Sequence, residues 1–261
     1  MEVVITSSPD EIAQLAADAV QRLIESTDRP VLGLATGSSP LSTYRELIER
    51  HRDGRLTFAR TSAFLLDEYV GLPPGHPAAY RTFIEHEFAE HVDLPDDALY
   101  GPDGCSDDLA HESVAYEQQI ASAGGIDLQL LGVGSDGHIG FNEPASSLGS
   151  RTRLKTLTDA TRADNARFFG DDVDAVPRHV LTQGVGTILE AGHLLLLAAG
   201  ESKAGPIALA IEGPVTAMVP ASALQLHPHA TVIIDEPAAQ ALGHADYYRE
   251  AFANKPPWQH I

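Results

Sequence analysis

Cysteine occurs once in the 261 residues, at Cys105, so no disulfide can close within the chain. That usage fits a reducing compartment, and the cytoplasm is the expected location. No uninterrupted apolar run approaches the length needed to cross a bilayer. The first twenty residues, MEVVITSSPDEIAQLAADAV, hold neither the basic stretch nor the apolar core of a secretory signal. Lysine is scarce as well: Lys155, Lys203 and Lys255 are the only three, and 17 Lys and Arg face 37 Asp and Glu for a formal charge of −20. This balance argues against nucleic acid and against an anionic membrane as partners. It also means that an anionic metabolite must be met by a few bases placed locally against a repulsive background. Repeats, low-complexity tracts and convincing linkers are missing too, so one domain over residues 1–261 is expected.

What is present is the composition of a globular protein, 43% apolar and 21% charged. Apolar strand-like runs alternate with amphipathic segments. VVIT (3–6), VLGLAT (31–36), SAFLLD (62–67), residues 127–133, LLLLAAG (194–200) and ATVIID (230–235) read as strands. Helical periodicity fills residues 9–26, 41–51, 77–91, 109–123 and 201–213, with a long polar stretch running to about 175. The alternation predicts an α/β fold: a doubly wound, mostly parallel sheet with helices on both faces, Rossmann-like.

The most informative stretch is LGVGSDGHIGFNEPA, residues 131–145. Asp136, His138 and Glu143 fall within eight residues, threaded among Gly132, Gly134, Gly137 and Gly140 and closed by Pro144. The stretch follows a buried strand, so these groups should emerge at the carboxyl edge of the sheet, where open α/β folds bind ligands. Gly-Asp-Gly and Asn-Glu-Pro are each ordinary turn chemistry, but three proton-moving side chains on one such loop point to a site. GVGSDG formally fits a dinucleotide fingerprint. That motif must open into a helix facing a pyrophosphate, and here Asp136 and the Asn-Glu-Pro break oppose it.

Two further strand ends carry chemistry. Thr36-Gly37-Ser38-Ser39 leads into a helix with Pro40 near its first turn, offering hydroxyls, amides and a positive helix end to a phosphate monoester. The loop lacks the lysine and spacing of a nucleoside-triphosphate site, and a plain capped turn uses the same residue types. Lys203 and Arg167 could add positive charge, although either alone also reads as a solvated base. After SAFLL, Asp67 and Glu68 sit at the mouth of the sheet, where a carboxylate is placed to take a proton from carbon beside a carbonyl, or to serve as a helix cap or a surface acid. No H-E-x-x-H pattern or cysteine cluster accompanies Asp136, His138 and Glu143, so no metal is expected.

Together LGLATGSSPLSTYREL, LLDEYVGLPPGHPAAYRTF, GVGSDGHIGFNEPASSL, SRTRLKTLTDATRADNARFF, GVGTILEA, ESKA and LQLHPHATVIIDEPAA closely resemble the glucosamine-6-phosphate deaminase (isomerase) family, in order over almost the whole chain. The resemblance implies conversion of glucosamine 6-phosphate to fructose 6-phosphate and ammonia, with no cofactor. It implies Asp67 as the enolising base, and Asp136, His138 and Glu143 as the ring-opening group. Thr36, Gly37, Ser38, Ser39, Arg167 and Lys203 match phosphate ligands, and residues 153–182 a lid. Ser146, Arg153, Lys155 and Thr156 match an effector site for N-acetylglucosamine 6-phosphate found in hexameric relatives, so a homo-oligomer, with a hexamer as one form, is expected. The C-terminal residues 243–261 depart from the family's pattern. The alternatives are a 6-phosphogluconolactonase-like hydrolase, which shares a glycine-rich DGH stretch but not the following IGFNEP, and a non-catalytic sugar-phosphate sensor, which has no need of the four acid–base residues together.

Overall fold

The computed structural model describes every residue except 257. In chain order the elements are β1 (Glu2–Thr6), α1 (Pro9–Ser26), β2 (Val31–Leu34), α2 (Ser38–Arg52), β3 (Ser62–Leu65), β4 (Asp67–Tyr69) and α3 (Tyr80–Glu87). Then come β5 (Leu99–Tyr100), α4 (Leu109–Ser122), β6 (Leu128–Leu131), β7 (Arg153–Thr156), α5 (Asp159–Asn165) and β8 (His179–Thr182). The chain finishes with α6 (Val185–Ile188), β9 (His193–Ala198), α7 (Ala204–Ile211), β10 (Ala230–Asp235), α8 (Glu236–Ala239) and α9 (Ala245–Ala253).

Seven strands form one parallel sheet in the order β1-β10-β9-β6-β2-β3-β5. The expected doubly wound architecture is therefore present. Strand side chains alternate between two apolar layers, which is why the central strands read as unbroken apolar runs. Val4, Ala63, Leu65, Leu195, Leu197 and Ile233 join the layer under α1 and α2, with Tyr44, Phe58 and Phe88. Val3, Phe64, Leu194, Leu196, Val232 and Ile234 join the opposite layer, with Tyr116, Ile188, Ile207 and Leu224. The entry to α1 shows its local cause: Ser8 caps the amide of Glu11, Pro9 occupies the first turn, and Glu11 reaches back to the amide of Ser7.

The main departures from the sequence expectations begin where β3 ends. SAFLLD is not one strand: β3 ends at Leu65 and Asp67 opens β4, which belongs to a second, antiparallel sheet in the order β4-β8-β7. Leu66 is the crossover, its amide bonded to Leu34 of the main sheet and its carbonyl to Gln183 beside β8. The Leu65 carbonyl accepts from the Tyr116 hydroxyl at 2.5 Å and from Gln183 Nε2 at 3.0 Å. The long polar stretch holds β7 and α5, and the helix expected over 77–91 contracts to Tyr80–Glu87 plus a short turn at Ala89–His91. Under the small sheet, Tyr69, Phe141, Leu157, Ala166, Val176 and Val180 form a third apolar cluster.

Candidate active site

From β2 the chain builds outward through β3 and β5, then returns to place β6 on the other side of β2. The crevice between β2 and β6 is thus a topological switch point, where open α/β sheets bind ligands. The loops that follow these two strands are Thr36–Ser39 and Gly132–His138. Both line a cavity of about 450 Å³, together with Asp67, Tyr80, Phe141, Thr161, Arg167 and Lys203.

One end of the cavity is built for an anion. Gly37, at a φ of 97° that glycine accepts without strain, turns the chain into α2, whose first residues carry no side-chain cap. Lys203 Nζ donates to the Val133 carbonyl at 2.7 Å. Burial lowers the Lys203 pKa, the neighbouring Arg167 lowers it further, and Asp164 opposes both. Two cations held this close in a chain of charge −20 create the local positive field that an anionic ligand requires.

The acid–base groups are divided. Asp67 is 4% exposed, and burial first, then the adjacent Glu68 charge, pushes its pKa well above the usual carboxylate range. His138 Nδ1 lies 2.6 Å from Asp136 Oδ1, which also accepts the His138 backbone amide at 3.1 Å. The His138 hydrogen bond, outweighing desolvation, lowers the Asp136 pKa. With Nδ1 occupied by the carboxylate, Nε2 is the ring nitrogen left for chemistry. Gly134 is indispensable to this arrangement, since a Cβ there would fall 2.1–2.3 Å from three atoms of the His138 ring.

Glu143 is placed differently. It is buried, it is not on the cavity wall, and its carboxylate accepts from Thr158 Oγ1 at 2.9 Å, from the Thr158 amide at 3.4 Å and from the Thr161 hydroxyl. It therefore ties the site loop to the start of α5 and makes no hydrogen bond to His138. Ser146, Arg153, Lys155 and Thr156 also lie off the cavity wall. Ser146 is buried with its hydroxyl unpartnered, burial lowers the Arg153 pKa, and the Thr156 hydroxyl sits 3.2 Å from His179 Nδ1. Tyr80, Phe83, Thr161, Asp164 and Asn165 line the cavity without a sequence signal, because they arrive from α3 and α5 rather than from strand ends. Among the described residues, no group of three His, Cys, Asp or Glu side chains could hold a metal ion.

The fold and cavity define the class: an open α/β protein with a cavity suited to a small anionic ligand at the switch point of its sheet. The chain belongs to the family of glucosamine-6-phosphate isomerases and 6-phosphogluconolactonases, whose model matches residues 6–233. It is 58% identical over 259 residues to the glucosamine-6-phosphate deaminase of Beutenbergia cavernae, covering 99% of both chains. It is 56% identical over 261 residues to that of Mycolicibacterium smegmatis, covering both completely. A solved monomeric glucosamine-6-phosphate deaminase superimposes with a TM-score of 0.90 at 42% identity, covering 92% of this chain and 100% of that one. The 6-phosphogluconolactonase of Thermotoga maritima, at a TM-score of 0.71 and 19% identity over 90% of this chain and 98% of that one, shares the fold.

Proposed function

We propose that this chain converts glucosamine 6-phosphate and water to fructose 6-phosphate and ammonia. The observation that carries the proposal is a single cavity walled by a buried, basic carboxylate (Asp67), an aspartate-held histidine (His138) and an anion-suited end.

The sugar phosphate docks on the Thr36–Ser39 loop with Arg167 and Lys203, which fixes the reacting carbons relative to the acid–base groups. His138 moves a proton from the anomeric hydroxyl to the ring oxygen, and Asp136 holds its tautomer and stabilises its cation. In the open aldehyde the C2 proton is acidic. Asp67 removes it and returns it to C1, passing through an enolamine to an imine at C2. Water adds to that imine and ammonia leaves. The substrate's own carbonyl serves as the electron sink, so the proposal includes no cofactor. Glu143 supports the ring-opening pair by anchoring the far end of its loop to α5.

Residues 153–182 serve as the lid within one domain. β7 and β8 fasten its ends, and Thr161, Asp164, Asn165, Arg167 and Phe168 between them face the cavity. The proposed cellular setting is the cytoplasm. The proposed assembly is a homo-oligomer in which Ser146, Arg153, Lys155 and Thr156 receive N-acetylglucosamine 6-phosphate. Initial rates with and without that sugar, alongside light scattering, test this last part; indifference to it removes the effector site. For the main proposal, purified protein is incubated with glucosamine 6-phosphate. Equal yields of ammonia and fructose 6-phosphate, at a rate indifferent to EDTA, are expected. Hydrolysis of 6-phosphogluconolactone without deamination would overturn it.

A further inference from the structure

Beside Asp67 stands a second buried carboxylate for which the proposed reaction has no step. Glu68 is 8% exposed, and successive β4 side chains point to opposite faces, so it turns away from the cavity that Asp67 enters. Oε1 accepts the amides of Tyr69 at 2.8 Å and Tyr80 at 3.0 Å, and Oε2 accepts the amide of Arg81 at 2.9 Å. Tyr80 and Arg81 are the first two residues of α3, and the residue before them, Ala79, supplies no side-chain cap. Glu68 thus caps a helix that starts twelve residues later, and it places a carboxylate at the positive helix end.

We propose that Glu68 is a positioning residue for the base: clamped by three backbone amides, it fixes the start of α3 and holds a second negative charge beside Asp67. The inference rests on Asp67 being the base that takes the C2 proton. Two consequences follow from the geometry. First, Tyr80 is pinned where its ring stacks on Phe141 at 5.7 Å and lines the cavity. Second, the Glu68 charge opposes ionisation of Asp67, adding to burial, so that the conjugate acid is stronger-binding for its proton. A base works best on carbon acids when its pKa lies near the working pH. Burial leaves the Glu68 pKa raised on balance, with the amides of Arg81, Tyr80 and Tyr69 and the charge of Arg81 opposing it in part.

The other groups around the pair do not replace Glu68. The Arg81 guanidinium is spent on Glu85 at 2.9 Å and the Leu99 carbonyl at 3.1 Å. Tyr69, Tyr80 and Tyr116 lie near enough to Asp67 to feel its charge, and burial above all raises the pKa of all three, so they stay neutral through the working range. His138, Lys203 and Arg167 line the same cavity as Asp67.

The test separates charge from cap. Glu68→Gln removes the charge and keeps one acceptor oxygen; Glu68→Asp keeps the charge on a side chain too short for the α3 amides. Each is also made with Ala79→Ser, which restores a local cap and preserves folding should α3 loosen. In Glu68→Gln, with or without Ala79→Ser, the acid limb of the kcat/KM profile should move to lower pH, and the plateau kcat should fall about tenfold, since a weakened general base loses part of its 10²–10⁴-fold effect. In Glu68→Asp the limb should stay in place while the amides of Tyr80 and Arg81 exchange faster. An unmoved acid limb in both Gln proteins overturns the inference. Asp67→Asn, run in parallel, isolates the underlying assignment: near-normal turnover there sinks the base itself, whereas a dead Asp67→Asn with an unmoved Glu68→Gln limb sinks only the role of Glu68.

Discussion

Gly134→Ala should damage catalysis far more than folding. A methyl built on Gly134 lies 2.1 Å from His138 Cε1 and 2.3 Å from each ring nitrogen. Non-bonded carbon contacts settle at about 3.5–4.0 Å, so the ring must retreat by roughly 1.5 Å. Asp136 Oδ1 holds Nδ1 at 2.6 Å, and a retreat of that size carries the pair beyond hydrogen-bond range. The backbone does not object, because Gly134 is not one of the glycines with a left-handed φ. The ring is partly exposed, with 23% of its side-chain surface accessible, so it has somewhere to go. The folding cost is therefore small, about 1 kcal/mol or less after the entropy gained from stiffening the unfolded chain, or a shift in Tm of a few degrees. The catalytic cost is large, since a 1 Å misplacement costs on the order of 10²-fold. The assay is kcat by ammonia release from the closed-ring substrate, with Tm measured on the same preparation. Turnover within threefold of wild type would show that the tight Gly134–His138 approach does not position the shuttle.

Asp67→Asn should abolish exchange of the substrate C2 proton with solvent while binding stays within about tenfold, because a base acts on the transition state rather than on ground-state affinity; retained exchange, followed by NMR in deuterium oxide, contradicts the assignment. Lys203→Met removes a cation and its bond to the Val133 carbonyl, and KM should rise by roughly 10–100-fold, as expected for a charge-assisted contact, with inorganic phosphate losing inhibitory power in parallel; equal phosphate inhibition in both proteins counts against a phosphate site. His193, stacked on His229 at 3.7 Å and facing His227, Arg22 and Lys255, is held down to a pKa of about 3, chiefly by burial. A depressed base pKa means the unfolded chain binds the extra proton first, so stability is full above about pH 6.5 and is lost as pH falls from there towards 3. His193→Gln should show a shallower loss of Tm over that window, and an unchanged slope rules the buried ring out as its source.

The sheet was legible from the chain because burial on both faces forces apolar residues at every strand position, and the runs 31–36, 194–200 and 230–235 announce this without further context. The site loops were legible for a related reason: glycines and titratable side chains at strand ends are too costly to order without purpose, and Thr36–Ser39, Asp67 and the Asp136–His138 pair do share one cavity wall or rest on it. Tertiary structure decided the rest. Where β3 ends is set by the Leu65 carbonyl, captured by Tyr116 and Gln183 from 51 and 118 residues away, and no local pattern in SAFLLDEY encodes those partners. Glu143 is five residues from His138 in sequence, yet the turn at Asn142, whose amide group reaches Ile139 and Gln183, carries it to Thr158 and Thr161 instead. Glu68 reads as a surface acid until α3 folds back and offers its amides. Local sequence determines which groups are present at each strand end; which of them meet depends on long-range hydrogen bonds, and these exist only once the main sheet has brought distant loops to one edge.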